Sequence, residues 1–394
     1  MHFKSVRDAD VAGKRVLLRE DLNVPMKDGT IADATRIEAA LPTLRLLRER
    51  GAMTVILSHL GRPDGKPNPA YSLRPIAGRL SELLDAEVRF VDDCVGEAAV
   101  AASKALPAGG FALFENVRFH SEEEADDPNF ARELAKSGDL YVNDAFGTAH
   151  RAHASTAGVA EYLPAYAGLL MEAELAALTR LTEHPKHPFV CAIGGAKVAD
   201  KVGVFENLLA KVDAFVIGGG MANTFLAARG IGVGTSLRDP DPAPATKIIG
   251  LAAGRGVTLH VPTDAVISDA FDADEGARVV PISQVGAAMI LDIGPETAQA
   301  YAAVLRAAKT IVFNGPMGVY EKPAYQNGTR VVGQAIAEAT RHGATSVVGG
   351  GDAAAAAHAL GFADAMTHVS TGGGATLEFL EGKTLPGVAA LERA

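Results

Sequence analysis

Arg and His recur in the first half of the chain wherever a short apolar run ends: Arg19-Glu-Asp-Leu-Asn-Val, Ser58-His-Leu-Gly-Arg, Glu115-Asn-Val-Arg-Phe-His and Ala149-His-Arg-Ala-His. In the second half the same places carry Gly with a few Lys and Asp: Ile193-Gly-Gly-Ala-Lys, Gly218-Gly-Gly, Gly349-Gly-Gly-Asp and Gly372-Gly-Gly. Guanidinium clusters hold anions through forked, charge-assisted hydrogen bonds. Gly-rich turns that open helices let backbone N–H groups approach phosphates. The two patterns together imply two phosphorylated ligands, one per half, brought together for phosphate transfer.

Asp21 and Asn23 follow the first run, His59 and Arg62 the second, Arg118 the third and Arg151 the fourth, while Arg36 opens a helix. Ligands of open α/β sheets sit beyond the carboxyl ends of the strands, so these residues are expected to share a basic pocket for a phosphate and a carboxylate. In the second half, Lys197 and Lys201 are four apart, a spacing that places both on one side of a helix start. Gly349-Gly-Gly-Asp repeats the phosphate-loop logic, with Asp352 able to hold Mg²⁺ beside it.

The elements that must position these groups read as alternating strands and helices. Val16-Leu-Leu, Thr54-Val-Ile-Leu, Phe111-Ala-Leu-Phe, Leu140-Tyr-Val, Phe189-Val-Cys-Ala-Ile, Ala214-Phe-Val-Ile, Val257-Thr-Leu, Met289-Ile-Leu, Thr310-Ile-Val-Phe, Ser346-Val-Val and Met366-Thr-His-Val are nearly continuous apolar runs. Such runs fit strands buried on both faces of a parallel sheet. Ile37, Leu41, Leu44 and Leu47 form one helical face that Gly51 stops, with Pro42 either opening or kinking the helix. Val202, Phe205, Leu208 and Leu209 form another. The predicted fold is α/β: two doubly wound, Rossmann-like parallel-sheet domains joined by a hinge helix. The boundaries fall at 1–168, a hinge helix and linker at 169–187, a second domain at 188–375, and a closing segment at 376–394. Asp272-Ala-Asp-Glu-Gly reads as an exposed loop.

At 394 residues, two domains are the expectation. A net charge of −10 excludes nucleic-acid binding through bulk charge and makes the local Arg clusters more informative. No apolar run approaches the length of a membrane span, and the charged opening residues carry no signal-peptide core. Cys94 and Cys191 are too few and too distant for a disulfide framework, so both are expected to be buried thiols in a reducing cytoplasm. No His-x-x-x-His or His-Glu-x-x-His spacing points to zinc.

Nucleotide signatures narrow the class. A P-loop is excluded because Gly382-Lys-Thr lacks its upstream Gly, position 377 being Leu. His-Arg-Asp and Asp-Phe-Gly, the protein-kinase marks, are absent, and no Gly-x-Gly-x-x-Gly follows a strand. Arg19-Glu-Asp-Leu-Asn-Val-Pro, Ser58-His-Leu-Gly-Arg-Pro, Glu115-Asn-Val-Arg-Phe-His, Gly194-Gly-Ala-Lys-Val-Ala-Asp-Lys, Asn314-Gly-Pro-Met-Gly-Val-Tyr-Glu and Ser370-Thr-Gly-Gly-Gly-Ala closely resemble the motifs of the phosphoglycerate kinase family, in the family's order.

That resemblance implies reversible transfer of the acyl phosphate of 1,3-bisphosphoglycerate to ADP, giving 3-phosphoglycerate and ATP, in a cytoplasmic, monomeric, Mg²⁺-using enzyme. By matching position, Asp21, Asn23, Arg36, His59, Arg62, Arg118 and Arg151 would bind the glycerate substrate. Lys197 would contact the transferring phosphoryl group, with Arg36 and Gly351 the other catalytic groups. Lys201 and Asn314 would lie at the nucleotide phosphates, Glu321 at the ribose, and Gly194, Gly195, Gly218, Gly219 and Gly294 around the adenine. Gly350, Gly351, Asp352 and Ala353 would serve the phosphates, with Asp352 holding the metal. The closing segment would pack back on the first domain. The family usually has Thr or Ser where Ala353 stands, a hydroxyl expected to cap the helix at a worth of about 1 kcal/mol. Its frequent Trp before Asn-Gly-Pro is Phe313 here, a packing change only.

The acceptor in the ATP-consuming direction is a carboxylate, ionised at neutral pH, so no general base is required. Catalysis reduces to positioning and neutralisation of phosphoryl oxygens, with domain closure excluding water. The alternative is a non-catalytic nucleotide-binding protein on the same fold, which would have no use for the basic residues of the first half.

Overall fold

A computed structural model of the chain describes residues 3–272 and 276–393. Of the loop expected at 272–276, residues 273–275 lie outside the described set. The chain divides into two compact units, residues 1–175 with 384–394 and residues 176–383. The boundary falls inside the helix Leu169–Glu183. The return to the first unit begins at Thr384 rather than at 376, because the helix Gly374–Leu380 belongs to the second unit.

The first unit contains β1 (Arg15–Arg19), a small hairpin of β2 (Met26–Lys27) and β3 (Thr30–Ile31), then β4 (Met53–Leu57), β5 (Val88–Val91), β6 (Phe111–Phe114), β7 (Leu140–Asn143) and β8 (Ala165–Ala167). Its six-stranded parallel sheet runs β5-β6-β4-β1-β7-β8. β4, β6 and β7 are buried almost throughout, as continuous apolar runs require. From β1 the chain first builds one side of the sheet and later crosses to the other, so strand order reverses at β1. The helix Thr35–Glu49 turns Ile37, Leu41, Leu44 and Leu47 inward, and Gly51, at φ +71°, ends it. Pro42 lies within that helix, not at its start.

The second unit contains β9 (Phe189–Ile193), β10 (Ala214–Ile217), β11 (Thr258–His260), β12 (Asp264–Ser268), β13 (Arg278–Pro281), β14 (Met289–Ile293), β15 (Thr310–Asn314), β16 (Thr345–Val348) and β17 (His368–Val369). Its parallel sheet runs β11-β10-β9-β15-β16-β17 and reverses between β9 and β15. The run at Met289 is a correction: β14 pairs antiparallel with β12 in a separate sheet ordered β13-β12-β14. The outer strand of that sheet, Arg278-Val-Val-Pro, is mostly exposed and ends in Pro281, which suits an edge. Each parallel sheet therefore has its own crevice at the point of reversal, where ligands of doubly wound folds bind.

Candidate active site

Most of the expected site residues of the first unit arrive from the carboxyl ends of its strands. Asp21 and Asn23 leave β1, His59 and Arg62 leave β4, and Arg118 sits in the short turn Val117–Phe119 after β6. Arg36 opens the helix Thr35–Glu49 and donates to Asp21 Oδ2 at 2.9 Å and to the Asn23 carbonyl at 3.3 Å. Asn23 Oδ1 accepts from Gly61 N at 2.9 Å, and Arg118 Nη1 donates to the Gly61 carbonyl at 3.0 Å. The β1, β4 and β6 loops are thus stitched to one another by the residues expected to bind substrate. Arg151 is half-buried and bonds His150 Nε2 at 3.3 Å. Arg62 is exposed and makes no hydrogen bond or ion pair among the described residues.

Arg19 begins the first Arg-bearing motif of the sequence but was not among the expected site residues, and it is the centre of this arrangement. Arg19 is fully buried. Its Nε donates to Ser155 Oγ at 2.8 Å, and that hydroxyl donates to Glu123 Oε1 at 2.6 Å, with Ser155 N on Glu123 Oε2 at 2.8 Å. Glu123, itself buried, is therefore the counter-charge of Arg19, reached through one serine. Arg19 Nη2 stands 3.2 Å from His59 Nδ1. A guanidinium only donates, so His59 Nδ1 accepts, and its proton resides on Nε2.

The cations crowd one another. Burial, then Arg19, Arg118 and Arg36, hold the His59 imidazole well below its ordinary range. Burial and neighbouring Arg118, Arg19 and Arg151 bring His153 down to about 3. Burial and Arg19 lower even the Arg118 guanidinium to about 10. A pocket that resists every additional positive charge is one that favours an anion.

The second unit is built from backbone. Gly194 after β9 and Gly315 after β15 lie so close that a Cβ on Gly194 would stand 1.9 Å from the Pro316 carbonyl oxygen. Gly219, at φ +64°, would put a Cβ 2.8 Å from the Gly195 carbonyl oxygen. Lys201 threads beneath these turns, its Nζ donating to the Gly194 and Asn314 carbonyls at 2.8 and 2.7 Å. Burial lowers its amine to about 8. Asn314 Nδ2 in turn donates to the Gly349 carbonyl at 2.6 Å. Gly350, at φ +100°, starts the helix Gly351–Ala359, whose first internal bond is Ala354 N to the Gly350 carbonyl. The amides of Gly351, Asp352 and Ala353 precede that ladder and are the donors a helix start offers an anion.

A cavity of about 830 Å³ opens beside these turns, bordered by Gly195, Gly219, Gly220, Glu321 and Asp352. Its apolar wall of Leu237, Phe271, Met289, Leu291 and Met317 was not foreseen from the sequence. An exposed Leu237 or Phe271 on an otherwise polar loop is the signal that was present.

Four expectations change. Lys197 and Lys201 do not share a helix face: Lys197 lies exposed in the turn before the short helical stretch that ends at Lys201. Gly218 starts the helix Gly219–Ala228, and neither it nor Gly194, which packs against Pro316, lines the cavity. Gly294 does not line it either, since it starts the helix Pro295–Ala307 against the Asp264 carboxylate that caps the Glu296 and Thr297 amides. Residue 353 is not a capping position: it lies in the first turn, packed into the core. Both cysteines are buried, as expected.

Residues 6–383 match the family model described as Phosphoglycerate kinase. The chain is 56% identical over 399 residues to the phosphoglycerate kinase of Chloroflexus aurantiacus (strain ATCC 29366 / DSM 635 / J-10-fl), covering 100% of both chains. It is 52% identical over 389 residues to that of Moorella thermoacetica, covering 98% of each. Among solved structures it superimposes on phosphoglycerate kinase from Coxiella burnetii with a TM-score of 0.91 at 44% identity, covering 100% of this chain and 99% of that one. Phosphoglycerate kinase from Pyrococcus horikoshii OT3 gives 0.85 at 36%, covering 99% and 98%.

Proposed function

The chain belongs to the phosphoglycerate kinase family, and from that premise we propose how its own residues carry the reaction. It is a phosphotransferase that moves the acyl phosphate of 1,3-bisphosphoglycerate to ADP, forming 3-phosphoglycerate and ATP, and runs the reverse reaction. The cationic crevice of the first unit takes the glycerate substrate, with Arg36, Arg118, Arg151 and Arg62 as anion donors and Asp21, Asn23 and His59 as partners of its hydroxyl and carboxylate. The observation that supports this assignment is the crowding of guanidinium groups around Arg19, which lowers Arg118 and holds His59 and His153 neutral and which an anionic ligand relieves. His59 meets the ligand as an Nε2–H donor, since Arg19 occupies its other nitrogen.

The cavity of the second unit takes the nucleotide: the base against Leu237, Phe271 and Met317, the ribose hydroxyls at Glu321, and the phosphates at the amides of 351–353. Two of the three N–H groups of Lys201 are engaged by carbonyls, leaving one for a phosphate oxygen. Asp352 is exposed, borders the cavity and accepts no hydrogen bond among the described residues, so it fits a ligand of nucleotide-bound Mg²⁺. When bound, that ion supplies charge neutralisation and orientation of the phosphates. Lys197, exposed and without a partner among the described residues, has the length and freedom to reach the transferring group.

The carboxylate of 3-phosphoglycerate is already a nucleophile at neutral pH, so neither crevice needs a base. The chain's work is to hold both ligands, offset charge on the phosphoryl oxygens and keep water from an acyl phosphate. Closure of the chain on its two ligands, a monomeric state and a cytoplasmic location complete the reading. No helix among the described residues is long and apolar enough to cross a membrane.

The test is a coupled assay with 3-phosphoglycerate, MgATP, glyceraldehyde-3-phosphate dehydrogenase and NADH. NADH oxidation should require both substrates and Mg²⁺. Binding of nucleotide without turnover, the coupling enzyme being active, would instead favour a nucleotide-binding protein on this fold.

A further inference from the structure

Asp93, Cys94 and His120 take no part in either crevice. Each offers one donor atom, and the three atoms lie within 4.8 Å of one another. The fold brings them together. Asp93 and Cys94 follow β5 and precede the helix Gly96–Lys104, while His120 closes the turn after β6. β5 and β6 are parallel neighbours, so their carboxyl ends abut. His120 Nε2 lies 2.9 Å from Asp93 Oδ1, and the imidazole is held against Phe130, with ring centroids 5.0 Å apart. Asp93 Oδ1 also accepts from Cys94 N at 2.7 Å, which fixes the carboxylate beside the thiol.

Access is graded. The thiol is buried, the imidazole half-buried and the carboxylate exposed. A recess of about 340 Å³, bordered by Asp92, Asp93, Glu115 and His120, opens on this side. Asp92 there pairs with Arg74 and Glu115 accepts from Ser72, Leu73 N and Asn116 N, so Asp93 is the carboxylate open to the recess, and the Cys94 thiol is buried in the negative field of Asp93, Glu123 and Glu115.

We propose that Asp93, Cys94 and His120 form a binding site for a divalent transition metal of the zinc class, with solvent as the fourth ligand. The donor set decides the class. Imidazole, thiolate and carboxylate suit zinc, whereas magnesium takes oxygen almost alone. Bonds of roughly 2.0–2.3 Å place tetrahedral ligand atoms roughly 3.3–3.8 Å apart. His120 Nε2 and Asp93 Oδ1 are 2.9 Å apart and all three donor atoms lie within 4.8 Å, so each pair needs a shift of no more than about 1.5 Å to reach that geometry. On binding, the Cys94 thiol proton leaves to solvent, the sulfur electron pair goes to the metal, and the ion replaces the contact between His120 and Asp93. The site is structural: it would tie the start of the helix Gly96–Lys104 to the turn that carries Arg118. Local spacing hides it, because the donors meet through strand pairing.

The test uses the full, untagged chain, stripped with chelator and titrated with Zn²⁺ and, separately, Co²⁺ in excess Mg²⁺. One equivalent of Co²⁺ should give tetrahedral d–d bands and a thiolate-to-cobalt charge-transfer band. That band should vanish in Cys94→Ala and persist in Cys191→Ala. Zn²⁺ affinity should fall at least about a hundredfold in Cys94→Ala and in His120→Gln, and Zn²⁺ should raise Tm in the wild type and in Cys191→Ala but in neither of those two variants. A wild-type Co²⁺ spectrum without the charge-transfer band overturns the proposal, whether or not the variants fold. So does Zn²⁺ affinity unchanged in Cys94→Ala, which would assign the metal to other histidines.

Discussion

The two crevices occupy the same topological place and are built by opposite means. In the first unit, charged side chains converge, some of them fully buried, and neutralise one another through chains such as Arg19–Ser155–Glu123. In the second, glycine backbones stack without room for a Cβ, one lysine is spent on carbonyls, and the largest surface is apolar. On the proposed assignment, the difference follows from the ligands. A small, densely anionic molecule offers little but charge, so recognition must come from side chains at short range. A nucleotide offers a flat base and phosphates, so an apolar wall and oriented amides suffice. The contrast makes removal of charge the decisive perturbation in one unit and removal of shape the decisive one in the other.

The largest effect expected is on stability. Arg19→Met leaves Glu123 buried without the guanidinium that Ser155 links to it, and breaking such a pair costs about 3–5 kcal/mol. Lys201→Met in the second unit strands two neutral carbonyls and should cost less, about 1–3 kcal/mol. Urea unfolding of both variants measures the pair. Equal losses would erase the distinction between a charge-built and a backbone-built crevice.

Next is catalysis. Arg36→Ala and Lys197→Ala should each lower kcat by about a hundredfold or more, the scale of losing one donor to developing charge. Steady-state rates with both substrates saturating decide it. Arg36→Ala should also raise KM for 3-phosphoglycerate, because Arg36 orders Asp21 and Asn23 in the ground state, whereas Lys197 orders no described residue. Near-normal turnover in either variant would remove that residue from the reaction.

How much of this was legible before the structure depends on what each crevice is made of. His59 and Arg118 could be read because they stand in loops just past apolar strands, and Arg36 because it opens a helix beside them. Arg19 could not, since nothing in the sequence separates an Arg inside the crevice from one at a strand's solvent end. The two parallel sheets followed from continuous apolar runs. The antiparallel β12–β14 did not, because β13 is exposed and β14 looks like any buried strand. The apolar wall of the cavity comes from Leu237, Phe271, Met289 and Met317, scattered in sequence and gathered only by the fold.

Smaller effects sharpen the comparison. Leu237→Ala with Phe271→Ala should raise KM for ATP roughly tenfold, the worth of about 1.4 kcal/mol of lost apolar contact, and leave KM for 3-phosphoglycerate unchanged. A matching rise for both substrates would place these residues outside the nucleotide site. The charge-built crevice should show a pH signature of its own. His153 titrates near 6.5 when unfolded and at about 3 when folded, so the unfolded chain binds the extra proton between those values. Its contribution is fully present above pH 6.5 and is lost as pH falls toward 3, by up to about 1.4 kcal/mol per pH unit. The stability gap between wild type and His153→Gln should narrow on acidification across that window and stay flat above it.

The smallest effect on turnover belongs to Ala353, where the family's usual hydroxyl is missing. The helix it sits in starts at Gly350, and residue 353 faces the core rather than the helix end, so a hydroxyl there is no cap. What the phosphates are offered is the backbone amide, which Ala353 supplies as well as Thr does. Ala353→Thr adds a methyl and a hydroxyl to a position 1% exposed, and overpacking of that kind costs about 1–3 kcal/mol unless neighbours yield. The hydroxyl gains at most one partner in return. We therefore expect kcat and KM for ATP within twofold of wild type and a small loss of stability, measured side by side by the coupled assay and urea unfolding. A tenfold gain in kcat would show that the second crevice, too, depends on a side chain for its phosphates, and the distinction between the two units would be weaker than the backbone geometry implies.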